Sequence, residues 1–223
     1  MSRSGAAGRY LDGGGPRMND SSHSEQGMSL VESLRELHAL RDEQIVVTTM
    51  GSSREWMKFD PHPLDFVYVP SSMGQASSVG LGLALARPDK DVIVCNGDGS
   101  MLMNLGSLVT IATAAPPNLT VVLFENGVYE VIGGQAIPGS KSLGGSSACV
   151  DFAGLARSAG LRSVHEFKTI DEWRDAIADV LSESGPTFVV LNVAPIPGAP
   201  GPKSPGPAGE RAASFAKALR ETS

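Results

Sequence analysis

At 223 residues, 41% of them hydrophobic, the chain is long enough for one ordinary core with short tails. Its net charge of −6 offers no basic surface to a nucleic acid, and no apolar run approaches the roughly 18 residues that a membrane span needs. The first residues hold no apolar segment of a secretory signal, and the only cysteines are Cys95 and Cys149, so a cytoplasmic setting without a disulfide framework is expected.

Residues 1–27 are rich in Gly, Ser and Asn and read as a disordered tail, or as residues ahead of the true start. Leu30 to Leu40 then carries a helical pattern, and Ile45 to Thr49 is a short β-branched strand. Phe66 to Val69 reads as a strand and Gln75 to Arg87 as a helix rich in small residues, ending before Pro88-Asp89. Val92 to Cys95 is an apolar strand, Met101 to Ala114 a helix, and Leu119 to Phe124 another apolar strand. A Gly-rich segment, Gly133 to Ser147, precedes a helix at Phe152 to Ala159 and an extended Arg162 to Phe167. Asp171 to Ser182 is a helix with Asp171 as its N-cap, and Thr187 to Val193 closes the alternation. Strands alternating with helices imply βαβ units, hence an α/β fold with a doubly wound parallel sheet and helices on both faces, over residues 28–194. Pro195 to Pro207 is a Pro/Gly strap, and Glu210 to Arg220 a short helix able to dock through Phe215 and Leu219, which together fill residues 195–223.

Two segments carry the chemistry. Asn96-Gly97-Asp98-Gly99-Ser100 lies between an apolar strand and a helix, and Glu125-Asn126-Gly127-Val128-Tyr129 follows the next strand. Asp98 and Asn126 therefore stand at the carboxyl ends of neighbouring parallel strands, where open α/β sheets bind ligands. A carboxylate and an amide oxygen converging there suit Mg²⁺, which shares hard oxygen ligands with bound phosphates. Gly97 and Gly99 let backbone approach closely, and the following helix offers free N–H groups to an anion.

A Gly-Asp-Gly segment followed after about 25 residues by this Asn resembles the signature of thiamine diphosphate enzymes, with Glu125 where the commonest form has a first Asn. The resemblance implies that Asp98, the Asn126 side chain and the Val128 carbonyl hold Mg²⁺, and that Gly97, Gly99, Ser100 and Tyr129 adjoin the diphosphate. The loop Ser71-Ser72-Met73-Gly74 matches the place where such enzymes set a bulky apolar side chain between the two cofactor rings. Met73 takes that role, and the Ser71 carbonyl would accept from the pyrimidine amine. Further matches at Ala76 to Ala86, Met101 to Gly106, Tyr129-Glu130 and Gly133-Gly134-Gln135 resemble the branch of phosphonopyruvate decarboxylase and the sulfopyruvate decarboxylase β subunit. In that branch small polar residues precede Gly-Gly-Gln, whereas this chain has Val131-Ile132.

The implied reaction is loss of CO₂ from a 2-oxo acid such as phosphonopyruvate or sulfopyruvate, with release of the aldehyde. Met73 and Gln135 are the residues expected nearest the chemistry, Gln135 on a flexible lid. The glutamate that activates the aminopyrimidine comes, in this family, from a separate pyrimidine-binding domain for which the chain has no length. The resemblance therefore implies a β subunit that needs an α subunit, in an assembly of two copies of each or larger. A carboligase half of the acetolactate synthase type, or a subunit that binds the cofactor without turnover, is the alternative. Two distant cysteines argue against an Fe–S oxidoreductase, and no G-x-G-x-x-G supports a nicotinamide site. His38, His62 and His165 read as structural or loop residues, and Asn104 as a cap or packing residue. Lys141, in the Gly-rich loop after Gln135, could meet a phosphonate or sulfonate as a point charge, or stand as an ordinary solvated loop cation.

Overall fold

The computed structural model describes residues 27–68, 73–140 and 149–222. The expected N-terminal tail up to residue 26, together with Val69, Ser71, Ser72 and Lys141, lies outside the described residues.

Among the described residues the chain runs α1 (Leu30–Ala39), β1 (Ile45–Thr48), α2 (Met50–Trp56), β2 (Asp65–Val67), α3 (Ala76–Ala86), β3 (Val92–Gly97) and α4 (Asp98–Leu102). It continues through α5 (Gly106–Ala114), β4 (Leu119–Glu125), β5 (Val128–Tyr129), a 3-10 turn (Glu130–Ile132), β6 (Gln135–Ala136), α6 (Phe152–Ala159), β7 (Ser163–Phe167), α7 (Ile170–Ser182), β8 (Thr187–Asn192) and α8 (Ala208–Glu221). Six strands form one parallel sheet in the order β2-β1-β3-β4-β8-β7, and β5 and β6 pair as a small antiparallel ribbon. This is the expected doubly wound α/β fold.

The central strands are apolar throughout because both faces of the sheet are covered. Alternation sends Val92 and Val94 of β3 into one core with α3, α5 and α6, and Ile93 and Cys95 into the other with α1 and α7. On the second face Trp173 is fully buried, and its indole N–H donates to the Ser33 carbonyl at 3.2 Å, tying α7 to α1. Phe215 of α8 is buried against Phe66, so the terminal helix docks as its spacing suggests. Arg211 of α8 donates to the Val67 carbonyl at 2.6 Å and so occupies part of the open edge of β2.

Three local expectations change. The helix expected from Met101 to Ala114 is broken, because Asn104 turns its side chain back to the Gly74 carbonyl at 2.8 Å and Gly106 follows. Asp171 is not the N-cap of α7. Thr169 is, in a capping box where Glu172 N–H donates to Thr169 Oγ1 and Glu172 Oε2 accepts from Thr169 N–H, while Asp171 pairs with Arg174 at 2.8 Å. The short helix α2 was not expected, since Gly51, Ser52 and Ser53 are weak helix formers.

Strand β1 has β2 on one side and β3 on the other, so the order of connection reverses between β1 and β3. The crevice at the carboxyl ends of the strands at such a reversal is the favoured ligand position in open α/β sheets.

Candidate functional site

The residues singled out in the sequence meet at that crevice. Strand β3 ends at Gly97, and α4 starts at Asp98, whose side chain is buried. The pairing of Gly97 with Phe124 brings the end of β4 alongside, so that Asn126 and Gly127 leave the sheet next to Asp98. Asp98 Oδ2 accepts from the amides of Asn126 at 2.9 Å and Gly127 at 2.7 Å, and Oδ1 accepts from Gly99 at 2.7 Å. Gly127 makes this turn at φ +75°, and a side chain there would strike Ser140 Oγ. Asn126 Oδ1 accepts from Val128 N–H at 3.0 Å, which fixes the amide side chain over the same turn.

Burial pushes the Asp98 carboxyl up to about 6, against the downward pull of those three amides. The amides alone do not balance the buried charge, so a cation placed beside Asp98 would be held strongly. No cluster of three His, Cys, Asp or Glu able to hold a metal occurs among the described residues. The donor set is therefore one carboxylate, one side-chain amide and backbone carbonyls, which suits a hard ion that takes further oxygens from a phosphate.

Met73, Gly97, Asp98, Gly99, Ser100, Asn126, Val128 and Tyr129 all line one pocket that opens to solvent. Gly74 lies buried beside it at φ +85°, its N–H donating to Ser100 Oγ at 2.9 Å and its carbonyl held by Asn104. That double clamp sets Met73 in the pocket wall. Tyr129 lies flat against Gly99, where a Cβ would come within 2.5 Å of the ring. Gln135 is exposed on the β5–β6 ribbon and is not among the residues that line the pocket.

The structure adds residues that the sequence reading missed. Thr49, Met50, Gly51 and Ser52, at the end of β1 and the start of α2, form the opposite wall. Thr49 is 1% exposed, and its hydroxyl finds no acceptor among the described residues. Met50 adopts φ +53°, a strained backbone for a non-glycine residue. A Thr-x-Gly-Ser run directly after a β-branched strand was the signal available, and it sits at the same sheet edge as Asp98.

Glu130, beside Tyr129, is the other addition. Its Oε2 accepts from Arg54 at 3.1 Å and its Oε1 from the Ile196 amide at 2.8 Å. Arg54 also bonds Glu55 at 2.7 Å and the Pro200 carbonyl at 3.1 Å. Burial alone would raise the Glu55 carboxyl, but bonds from Lys58 and Arg54 outweigh it and leave its pKa below the usual value.

The histidines are engaged elsewhere. His62 Nδ1 is 2.8 Å from Arg41 and accepts from the Leu64 amide, and burial together with Arg41 lowers its pKa. His38 packs against Trp56 and Phe59, and His165 meets Glu183 at 2.9 Å on the edge strand β7.

The C-terminal TPP binding domain of thiamine pyrophosphate enzymes matches residues 47–191, the segment that holds both halves of this corner. The chain belongs to that family. Among curated members, phosphonopyruvate decarboxylase of Streptomyces viridochromogenes is 42% identical over 155 residues, covering 70% of this chain and 36% of the relative. Sulfopyruvate decarboxylase subunit beta of Methanothermobacter thermautotrophicus is 33% identical over 166 residues, covering 74% of this chain and 82% of that one. The chain thus spans about a third of the phosphonopyruvate decarboxylases and most of the sulfopyruvate β subunit. Benzoylformate decarboxylase of Polynucleobacter necessarius shares the fold, with a TM-score of 0.57 at 19% identity over 76% of this chain and 33% of its own. In this chain the Gly-Asp-Gly turn and the later Asn form one corner at the sheet's carboxyl edge.

Proposed function

We propose that this chain is the diphosphate-binding β subunit of a thiamine diphosphate-dependent decarboxylase that converts a 2-oxo acid, such as phosphonopyruvate or sulfopyruvate, to the aldehyde. The observation that carries the reading is the buried Asp98 carboxylate, held by the amides of Asn126 and Gly127 at the junction of β3 and β4. The relatives named above are decarboxylases, and the match to a β subunit runs over most of that subunit.

Bound thiamine diphosphate would supply the electron sink that lets CO₂ leave a 2-oxo acid. Asp98, Asn126 Oδ1 and the Val128 carbonyl would hold Mg²⁺, and the turn at Gly99 and Ser100 would adjoin the diphosphate. The Thr49 hydroxyl, without an acceptor among the described residues, stands on the facing wall as a further donor to an anion. Met73, fixed through Gly74, presents a polarizable side chain able to support the bent cofactor. Phe124, Leu30 and Val193 line the floor and keep water from the charged corner.

An α subunit carrying the pyrimidine-binding domain and its glutamate would complete the site, in an assembly of two of each chain or more, in the cytoplasm. No helix among the described residues is long and apolar enough to cross a membrane. Large apolar side chains exposed on one side, Leu85 of α3, Met103 after α4 and Val109 of α5, are consistent with a covered face.

The test is CO₂ release by the chain purified with its partner, given Mg²⁺, thiamine diphosphate and phosphonopyruvate, sulfopyruvate or pyruvate in turn. Turnover that needs both chains supports the reading. Cofactor binding without CO₂ release from any of them would move the chain to the carboligase or non-catalytic alternative.

A further inference from the structure

The ion network beside the pocket joins segments that are far apart in sequence. Residues 196–201 of the strap lie across the outer side of the 3-10 turn, where a Cβ on Gly201 would come 2.9 Å from Val131 Cγ1. Glu130 and Arg54 fasten them there by hydrogen bonds: the Ile196 amide donates to Glu130 Oε1, and the Pro200 carbonyl accepts from Arg54 Nη1, while the Ile196 side chain packs on the second core. Glu130 and Arg54 bond each other at 3.1 Å with side chains 5% and 9% exposed. Gly51 leaves space for this pair, since a Cβ there would already stand 3.2 Å from Glu130 Oε2. Arg54 belongs to the helix whose first residues form one pocket wall, and Glu130 directly follows Val128 and Tyr129 of the other.

A buried ion pair is a poor source of stability compared with apolar packing, and its best-attested use is to fix one arrangement among several. Here the pair reaches the strap from both sides, through Glu130 Oε1 and Arg54 Nη1, while Arg54 Nε is held by its neighbour Glu55. We propose that residues 196–201 form a latch on the cofactor pocket, and that Glu130 and Arg54 are positioning residues through which this latch sets the loop at residues 126–129. The inference rests on the functional reading for its meaning, because that loop is the metal side of the pocket. Its geometry stands independently of any ligand. With the latch fastened, the turn after Tyr129 is anchored at both carboxylate oxygens. The Tyr129 ring then stays against Gly99, and the Val128 carbonyl keeps its direction. With the latch released, Glu130 keeps its bond to Arg54 but loses the Ile196 amide, and the loop is held by its own turn, the Asp98 carboxylate and the pairing with β6.

Two variants separate this role from general stability. Glu130→Gln keeps the shape and an oxygen for the Ile196 amide, but turns a neutral amide group toward the Arg54 guanidinium. Ile196→Pro removes the N–H that reaches Glu130, together with a side chain that packs on the second core, and changes no residue that lines the pocket. Thr169→Ala, which loosens α7 on the other face, is the control for destabilisation alone. The first readout is amide hydrogen exchange of the chain with its partner in the absence of cofactor. Both variants are expected to speed exchange at Gly127, Val128 and Gly134 at least tenfold, while Thr169→Ala leaves those amides unchanged. The second readout is calorimetric binding of thiamine diphosphate with Mg²⁺, where both variants are expected to weaken binding tenfold or more and Thr169→Ala less than twofold. Exchange at 126–129 that is unaltered in both variants overturns the latch, whatever the cofactor result. Faster exchange with cofactor affinity within twofold of the unsubstituted assembly overturns its link to the pocket. Failure of the unsubstituted assembly to bind thiamine diphosphate refutes the functional reading, and leaves the exchange result to decide the positioning role.

Discussion

Asp98→Asn separates what the carboxylate does for the fold from what it does for a ligand. The difference between about 6 and the ordinary 3.8 for this carboxyl corresponds to about 3 kcal/mol of strain in the charged, folded form. The folded pKa lies above the unfolded one, so the proton binds the folded state more tightly. The stabilisation from that proton is complete below about pH 4 and is lost as pH rises through about 6. Asparagine removes the charge but keeps one oxygen for the amides of Asn126 and Gly127, and sets an NH₂ group against the Gly99 N–H that now donates at 2.7 Å. Leaving that donor without an acceptor costs roughly 1–3 kcal/mol. At pH 7.5 and without divalent metal the two effects nearly cancel, and the variant melts with the unsubstituted chain or a few degrees above it, at about 2–4 °C per kcal/mol. At pH 4.5 the charge penalty has largely gone from the unsubstituted chain, and the variant melts below it. With Mg²⁺ and thiamine diphosphate at pH 7.5, only the unsubstituted assembly gains stability. Thermal melts at the two pH values, with and without ligand, measure all three. A variant that melts far below the unsubstituted chain at pH 7.5 without metal would make the carboxylate a structural clamp and refute the reasoning.

Other substitutions test the packing that frames the site. Gly80→Ala would place a Cβ 2.1 Å from Val94 Cγ2, between α3 and β3, and is expected to cost about 1–3 kcal/mol in chemical denaturation. Gly82→Ala, two residues along the same helix with nothing within 4 Å, is expected to stabilise by roughly 0.5–1 kcal/mol. Gly99→Ala forces the Tyr129 ring away from the diphosphate turn, and should reduce calorimetric thiamine diphosphate affinity more than tenfold while the sheet stays folded. Thr169→Ala removes the cap of α7 for about 1 kcal/mol, read as a lower melting temperature with unchanged CO₂ release.

The parts of this molecule that were legible in the sequence are those written in local pattern. Short apolar runs with β-branched residues, such as Leu119 to Phe124, read as strands covered on both faces, and small-residue turns at their ends put Asp98 and Asn126 together once β3 and β4 are neighbours. Placing the Gly-Asp-Gly turn and the Asn in one corner needed no tertiary knowledge beyond that adjacency. Helix α2 was not legible, because its seven residues are too few for a period and its first residue has a positive φ. The cap of α7 was legible as Thr-x-x-Glu, but a nearby Asp at an equally plausible position drew the boundary two residues late. Arg54 and Glu130 are 76 residues apart, and each looks like an ordinary surface charge on its own. Only the fold shows that they meet, buried, beside the pocket. Gln135 had motif support, yet the ribbon β5–β6 turns it outward.

The most direct test of the account is calorimetric titration of thiamine diphosphate into the chain purified with its partner, with Mg²⁺ and again with a chelator, for the unsubstituted protein and Asp98→Ala. The account predicts one cofactor per chain, bound in the presence of Mg²⁺ and lost both in chelator and in the variant. Binding that is indifferent to the chelator and to Asp98→Ala, or no binding at all, would contradict it.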